Sequence, residues 1–215
     1  MIQVVAIIAA KPGKREEYLT IYRDNVANVR AEPGCLEYQP LVDTEDGFGA
    51  KFGPDTIVVV GKWQSLEHIR AHVALPPHMV TFREKTRDLD DHRQLYVLSP
   101  ALSDFPAQQR GTPAMIHVIA IITAKPGKRD EVLGHFRANM PAVHAEAGCI
   151  EYGPAIDAEG GPGAKYGPDT FVVIEKWESL DHLKAHAASP HMQAYGAKTR
   201  DLLANREIHV LSPAV

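Results

Sequence analysis

The sequence predicts an α+β fold built from two copies of one βαββαβ unit, which pack together sheet to sheet. The first hundred of its 215 residues are repeated, with substitutions, from Met115. MIQVVAIIAAKPGKREE at Met1 returns as MIHVIAIITAKPGKRDE, an offset of 114, and GAKFGPDTIVVVGKWQSLEHIRAH returns as GAKYGPDTFVVIEKWESLDHLKAH. Because the repeat includes the turns, each copy is expected to fold as the same module. We therefore predict units over 1–100 and 115–215, joined by a linker over 101–114.

The first half of each unit predicts a strand and a long helix. The β-branched run from Val4 to Ala10 is typical of a strand, and the Lys-Pro-Gly turn that follows ends it. Apolar residues then recur at the spacing of one helical face from Tyr18 to Val29. Gly34 ends this helix, because glycine fits the left-handed position after a helix.

The second half of each unit predicts three more strands and a broken helix. Residues 35–42 and 57–63 are strand-like, and a turn-rich stretch separates them. Ser65 has the character of a helix N-cap, and Pro76-Pro77 interrupts the helix that it starts. A further helical piece is predicted over 78–89 and a last strand over 94–98.

The resulting order is the ferredoxin-like arrangement, with both helices on one face of a four-stranded antiparallel sheet. An open sheet face would show alternating polar residues, yet the strands VVAIIAA and IVVV are apolar on both sides. Burying that second face at about 25 cal/mol per Å² contributes many kcal/mol. The nearest cover is the equivalent face of the other copy, so we predict an internal two-fold pseudo-dimer.

Composition excludes some classes of partner. The formal net charge of −4 offers no long-range attraction for nucleic acid or an anionic membrane, so neither partner is expected. The apolar start IQVVAIIAA lacks a basic leader and returns in mid-chain, which favours a strand over an export signal and indicates a cytoplasmic protein. Cys35 and Cys149 occupy equivalent places, so no disulfide is expected.

Four segments recur in the same order in both units. They are the first strand with KPGKR, PGCLEY or AGCIEY, KWQSLEHIRAH or KWESLDHLKAH, and the following PHM. With these segments the unit resembles the antibiotic-biosynthesis-monooxygenase-like, or quinol-monooxygenase-like, domains of the dimeric α+β barrel superfamily. In that family two separate domains dimerise through their sheets. The resemblance implies that both halves of the barrel lie in one chain here.

The resemblance implies a cofactor-independent monooxygenase. Its substrates would be dioxygen and a small electron-rich aromatic, such as a quinol, a polyphenol or an anthrone-like ring, without metal or flavin. The deprotonated ring can itself reduce dioxygen by one electron. The protein would then hold the ring, favour its deprotonated form and keep water away.

Two other functions are compatible with the same fold. Haem-degrading relatives carry an iron-ligating histidine on the helix after the proline-containing break, and the stretches MVTFREKT and MQAYGAKT contain no histidine. A non-catalytic protein would bind a small molecule in the pocket without chemistry. Oxygen uptake separates the oxygenase from a binding protein, and a Soret band on haem addition identifies a haem protein.

Histidine is the candidate catalytic base. We predict His72 and His186 for this role, because imidazole titrates near neutrality and can take a phenol proton. Each lies four residues after another histidine, on a helix flank away from the apolar stripe. A solvated or rim position is therefore expected. Since no Asp, Glu or Cys completes a ligand set in register, no metal site is predicted.

Ten further residues are candidates for binding the substrate, and each has a structural alternative. The asparagines lie in an apolar helix stripe and need partners, and the aromatic residues either line a cavity or pack a core. The arginines belong to the two KTRDL segments and could pair with a substrate oxyanion or with the adjacent aspartate. The set is Asn25, Asn139, Trp63, Trp177, Tyr22, Tyr38, Phe136, Tyr152, Arg87 and Arg200.

The two pockets are expected to differ, because residues prone to line them have changed between the copies. The changed pairs are Tyr18 and Val132, Tyr22 and Phe136, and Phe82 and Tyr195. The long turns over 43–55 and 157–169 exceed the turn typical of the family, and we expect them to reshape the pocket entrance. A homodimer of the whole chain is a further prediction.

Overall fold

The computed structural model describes residues 1–102 and 116–214. The first unit contains β1 (Ile2–Ala10), α1 (Arg15–Arg30), β2 (Cys35–Asp43), β3 (Thr56–Trp63), α2 (Leu66–Val73), α3 (Pro77–Thr86) and β4 (Asp90–Pro100). The second contains β5 (Ile116–Ala124), α4 (Arg129–His144), β6 (Cys149–Asp157), β7 (Thr170–Trp177), α5 (Leu180–Ala188), α6 (Pro190–Thr199) and β8 (Leu203–Pro213). The predicted linker over 101–114 lies almost wholly outside the described residues, and the unit bounds stay a prediction.

Local chemistry accounts for the start of α2 and for the turn that follows α1. Ser65 caps α2, since its side chain accepts a hydrogen bond from the His68 backbone N–H. Gly34 follows α1 with φ +77°, and a Cβ there would lie 2.2 Å from the His68 ring, so only glycine fits. The last strand is longer than its sequence pattern predicts, because β4 pairs with β1 as far as Ala10 and Asp90.

The eight strands form one closed barrel in the order β1-β3-β2-β8-β5-β7-β6-β4. Within each unit the pairing is antiparallel, as in the predicted ferredoxin-like sheet. Two short antiparallel pairings join the units. In one, β2 pairs with β8 and Leu41 lies opposite Pro213. In the other, β4 pairs with β6 and Leu98 lies opposite Asp157. Closing the barrel leaves neither sheet with an open edge. The predicted fold, two tandem units forming an internal pseudo-dimer, is confirmed.

Strand residues alternate between the barrel interior and the helices. In β3, Val58 and Val60 belong to the apolar cluster inside the barrel, whereas Ile57 and Val59 belong to the cluster under the helices. Each sheet therefore buries both faces, which explains why its strands are apolar on both sides.

The barrel interior also contains a buried ion cluster that the apolar pattern did not predict. Lys62 is 1% exposed in its side chain and lies 2.5 Å from Glu151 and 3.4 Å from Glu37. Its counterpart Lys176 contacts the same two carboxylates, at 3.0 Å from Glu151. Two lysines and two glutamates thus compensate one another across the pseudo-two-fold, as buried charges require.

Each long turn crosses to the other unit. The Ala50 backbone N–H donates to the Ile208 carbonyl at 2.8 Å, and the Ala164 backbone N–H donates to the Leu95 carbonyl at 2.8 Å. Gly49 has φ +91° and approaches the Ile208 carbonyl so closely that a Cβ would lie 2.3 Å from its oxygen. The turn between β2 and β3 therefore packs on β8, and its counterpart between β6 and β7 packs on β4.

Candidate active site

Each unit has a pocket between the helix-facing side of its sheet and its helices. The cavity volumes are about 80 Å³ in the first unit and about 130 Å³ in the second, so the second pocket is the roomier. Both are mostly lined by apolar and aromatic side chains with a few polar groups, as expected of a small-molecule site.

Aromatic rings form the wall of the first pocket. Tyr22, Tyr38 and Trp63 line it, and the Trp63 ring centre lies 4.9 Å from that of His72. Burial raises the pKa of Tyr38 to about 12 and also raises that of Tyr22. These phenols therefore stay protonated at neutral pH, which suits them to pack or hydrogen-bond a ligand.

A histidine held by a glutamate lies at the wall of both pockets. In the first unit, His72 Nδ1 and Glu32 Oε1 are hydrogen-bonded at 2.8 Å, and His78 Nε2 contacts the same oxygen at 2.8 Å. Burial lowers the pKa of His72, although Glu32 opposes that shift. An imidazole that is neutral at pH 7 can accept a proton from a bound hydroxyl group.

The second unit repeats this arrangement. His186 Nδ1 lies 3.0 Å from Glu146 Oε1, and His191 Nε2 lies 2.5 Å from the same oxygen. The expectation of a rim position was wrong, since His72 is 8% exposed and His186 only 4%. Both helices turn this flank toward the loop after the long helix, and the glutamate from that loop stabilises the buried imidazole.

The expectation that no carboxylate joins the histidines was also wrong. Glu146, His186 and His191 offer three ligand atoms within 4.8 Å of one another, the number that a catalytic zinc site uses. Among the described residues, these side chains are the ones that could hold a metal ion. In the present geometry they contact one another directly as hydrogen-bond partners.

The second pocket contains a buried carboxyl group that the first lacks. Glu175 lines this pocket and accepts a 2.9 Å hydrogen bond from Trp177 Nε1. Burial raises its pKa, while His186 and Arg206 act in the opposite direction. Its counterpart in the first unit is Gly61. The difference is visible in the sequence, where EKW in the second copy replaces GKW in the first.

Five of the ten predicted binding residues line one of the two pockets. Tyr22, Tyr38 and Trp63 line the first pocket, and Phe136 and Tyr152 line the second. Trp177 is buried behind Glu175 and is not among the residues that line the pocket.

The two asparagines and the KTRDL arginines do not line either of the two pockets. Asn25 donates to the Met79 sulfur at 3.4 Å, and Asn139 donates to the Met192 sulfur at 3.1 Å, so both join helices. Asn25 also lines a separate cavity between α1 and α3. Arg87 and Arg200 are exposed just after α3 and α6. The structure thus places these four residues outside the two pockets, and their roles in binding stay predictions.

Other arginines line the pockets instead. Arg83 and Arg93 line the first pocket, and Arg206 lines the second. Arg93 lies 3.1 Å from Asp90 and donates to the Tyr18 hydroxyl. A strand or helix position gives no hint that a long charged side chain folds back over a pocket, so sequence reasoning missed all three.

One pocket residue comes from the other unit. Phe48, in the turn between β2 and β3, lines the pocket of the second unit. Its counterpart, Pro162, does not line the pocket of the first. The long turn therefore contributes to a pocket wall, that of the other unit.

Fold and site together define a tandem barrel with a histidine-bearing pocket in each half. The antibiotic biosynthesis monooxygenase family model matches residues 1–85 and 115–198. The chain belongs to this family, with two copies of its domain. None of the described helices is long and apolar enough to span a membrane.

A curated relative agrees with this assignment, and two solved structures share the fold. The "Probable quinol monooxygenase YgiN" of Escherichia coli (strain K12) is 38% identical over 104 residues, which is all of that protein and 47% of this chain. A structure of a "Putative monooxygenase" from Fusobacterium nucleatum has a TM-score of 0.81 at 15% identity, covering 100% of this chain and 92% of that chain. An "anthrone oxidase-like protein" has a TM-score of 0.66 at 10% identity, covering 100% and 91%. The two structures show the shared fold.

Proposed function

We propose that this protein is a cofactor-independent monooxygenase of a quinol-like or polyphenol-like aromatic substrate. The observation that carries the proposal is a buried imidazole held by a partly buried carboxylate at the wall of an aromatic-lined pocket, found in both units. Membership of the family and similarity to a protein named as a quinol monooxygenase support the same reaction class.

The hydrogen bond to the carboxylate orients the imidazole for proton transfer. In both units it uses Nδ1, so Nε2 is the ring nitrogen left to accept the hydroxyl proton of a substrate. A carboxylate on Nδ1 also stabilises the imidazolium that forms. His72 and His186 are therefore the proposed bases, with Glu32 and Glu146 as positioning residues.

The chemistry balances without an added reductant. The deprotonated ring gives one electron to dioxygen, and the resulting superoxide and ring radical combine at a ring carbon to form a C–O bond. Cleavage of the O–O bond leaves one oxygen on the ring and releases the other as water. For a hydroquinone the sum is hydroquinone plus dioxygen to hydroxyquinone plus water, with all four electrons from the ring. Apolar pocket walls keep bulk water from the radical pair.

Oxygen consumption tests the proposal. The protein is treated with a chelator and presented with a panel of hydroquinones and anthrones, and oxygen uptake is compared with product formation. We expect one product molecule per dioxygen with metal removed, and a loss of about 100-fold or more in His72→Gln/His186→Gln, the scale of general base catalysis. The exposed His92 gives the control variant His92→Gln, expected to keep its activity. No uptake with any ring, or activity that chelation abolishes, would refute the proposal.

A further inference from the structure

The two pockets differ in hydrogen-bonding character at one pair of positions. In the second unit, the Glu175 carboxyl accepts the hydrogen bond from Trp177 Nε1 at 2.9 Å. In the first unit, the equivalent residue is Gly61, and a Cβ built on it would lie 3.2 Å from Trp63 Nε1. The indole N–H of Trp63 therefore borders the space that a carboxyl group fills in the other unit, and no partner for it is seen within residues 1–102 and 116–214.

The arginines add positive charge on the same side. Arg83 and Arg93 both line the first pocket. Arg93 forms a salt bridge with Asp90, whereas Arg83 forms none in the described part of the chain and feels Asp90 only at longer range. In the second unit the places of Arg83 and Asp90 are taken by Gly196 and Leu203, and both of these residues line that pocket.

We infer that the first pocket binds an aromatic carboxylate, whose carboxylate group occupies the space that the Glu175 carboxyl fills in the second unit. The pocket supplies an indole N–H and an arginine that forms no salt bridge with a described residue, and charge-assisted hydrogen bonds of this kind are the strong ones. Tyr22, Tyr38 and Trp63 supply the walls against which the ring packs. The second pocket already contains its own carboxyl group, so it takes a neutral hydroxyaromatic.

This inference deepens the proposed function and rests on it only in treating the pockets as substrate sites. The test is equilibrium binding by titration calorimetry under nitrogen, which needs no turnover. The probes are 2,5-dihydroxybenzoate, its methyl ester and 1,4-hydroquinone. We expect one dihydroxybenzoate per chain, bound about tenfold or more tightly than the ester, since a hydrogen bond to a charged group contributes about 1.5–3 kcal/mol.

Variants taken from the other copy locate the site. Gly61→Glu places the carboxyl group of the second unit in the first pocket and should abolish dihydroxybenzoate binding. Arg83→Gln removes the pocket arginine that forms no salt bridge with a described residue, and because Arg83 is exposed it should weaken that binding about two- to fivefold. Arg87→Gln removes an arginine that is exposed like Arg83 but does not line the pocket, and it should leave the binding unchanged.

The outcomes are distinct. Equal affinity for the acid and its ester, or equal effects of Arg83→Gln and Arg87→Gln, would overturn the inference even if Gly61→Glu failed to fold. Acid binding with the expected variant pattern, but no oxygen uptake with any ring, would leave the inference standing and refute the proposed function. Oxygen uptake with hydroquinone, together with equal binding of the acid and its ester, would support the proposed function and refute the inference.

Discussion

Phe52, in the turn between β2 and β3, stacks on His209 in β8 of the other unit, with ring centres 3.8 Å apart. The equivalent pair, Tyr166 and Tyr96, stacks at 4.0 Å. These contacts hold each long turn on the last strand of the opposite unit. The first turn thereby carries Phe48 to the pocket of the second unit, and that pocket is built by both halves of the chain.

Phe48→Ala should weaken ligand binding at the second pocket. Truncation removes the Phe48 ring from one wall of the pocket. Because Phe48 is already 37% exposed, we expect the binding free energy for 1,4-hydroquinone to fall by about 1 kcal/mol, roughly fivefold in affinity. Titration calorimetry measures it. Pro162→Ala, at the equivalent place in the other turn, serves as the control and should change the affinity little. Equal effects of the two variants would show that Phe48 does not contribute to the site.

Glu32→Gln/Glu146→Gln should slow turnover without loosening substrate binding. The amide keeps the shape of the side chain but removes the charge that orients and stabilises each imidazole. We expect kcat to fall about tenfold or more with KM nearly unchanged, because general base catalysis contributes about 100- to 10,000-fold. The surface variant Glu131→Gln is the control. A change in KM alone would contradict the positioning role.

The pH dependence of turnover follows from the same imidazoles. Burial lowers the pKa of His72, so its basic form persists below pH 6.5, the ordinary value. The rate supported by the first pocket should therefore rise with pH, with its midpoint below pH 6.5. Rates measured from pH 4 to 8 in a His186→Gln background check this. A rise centred above pH 7 would contradict His72 as the base.

Lys62→Met should destabilise the fold strongly. The change leaves Glu151, which is 4% exposed in its side chain, with one lysine partner fewer inside the barrel. Breaking a buried ion pair on one side costs about 3–5 kcal/mol. Urea unfolding measures the free energy, and Lys184→Met, at an exposed pair with Asp181, should change it by less than about 1 kcal/mol. Equal losses in the two variants would show that the buried ion cluster stabilises the fold no more than an exposed ion pair does.

His117 should make the fold sensitive to acid. Burial and then Lys176 lower the pKa of His117 to about 4, against 6.5 for an ordinary histidine. Between pH 6.5 and 4 the unfolded chain therefore binds a proton at this histidine that the folded chain does not. The contribution of neutral His117 to the free energy of unfolding is complete above pH 6.5 and is lost as pH falls toward 4. It amounts to about 3 kcal/mol.

His117→Gln tests this sensitivity, because Gln3 stands at the equivalent place in the first unit. The free energy of unfolding of the variant should fall less between pH 6.5 and 4 than that of the parent chain. The part due to His72 and His209, whose pKa values burial also lowers, should remain. Identical pH profiles would mean that His117 is not buried as a neutral ring.

The sequence by itself determined the unit, its element order and the way in which the two copies meet. Apolar periodicity, the serine before α2 and the glycine after α1 are local signals, and they act over a few residues. Two-sided apolar strands required a cover for the second sheet face. The repeated chain supplied that cover, so the barrel followed without any long-range contact being known.

Only the tertiary structure decided the chemistry of the site. His72 meets Glu32 across 40 residues of chain, and Phe48 reaches a pocket in the other unit. Sequence spacing reports neighbours on one helix or strand, whereas these contacts depend on how elements pack against one another. The same limit explains why Arg87 was chosen and Arg83 was missed: both lie on one charged segment, and packing alone decides which of them turns to the pocket.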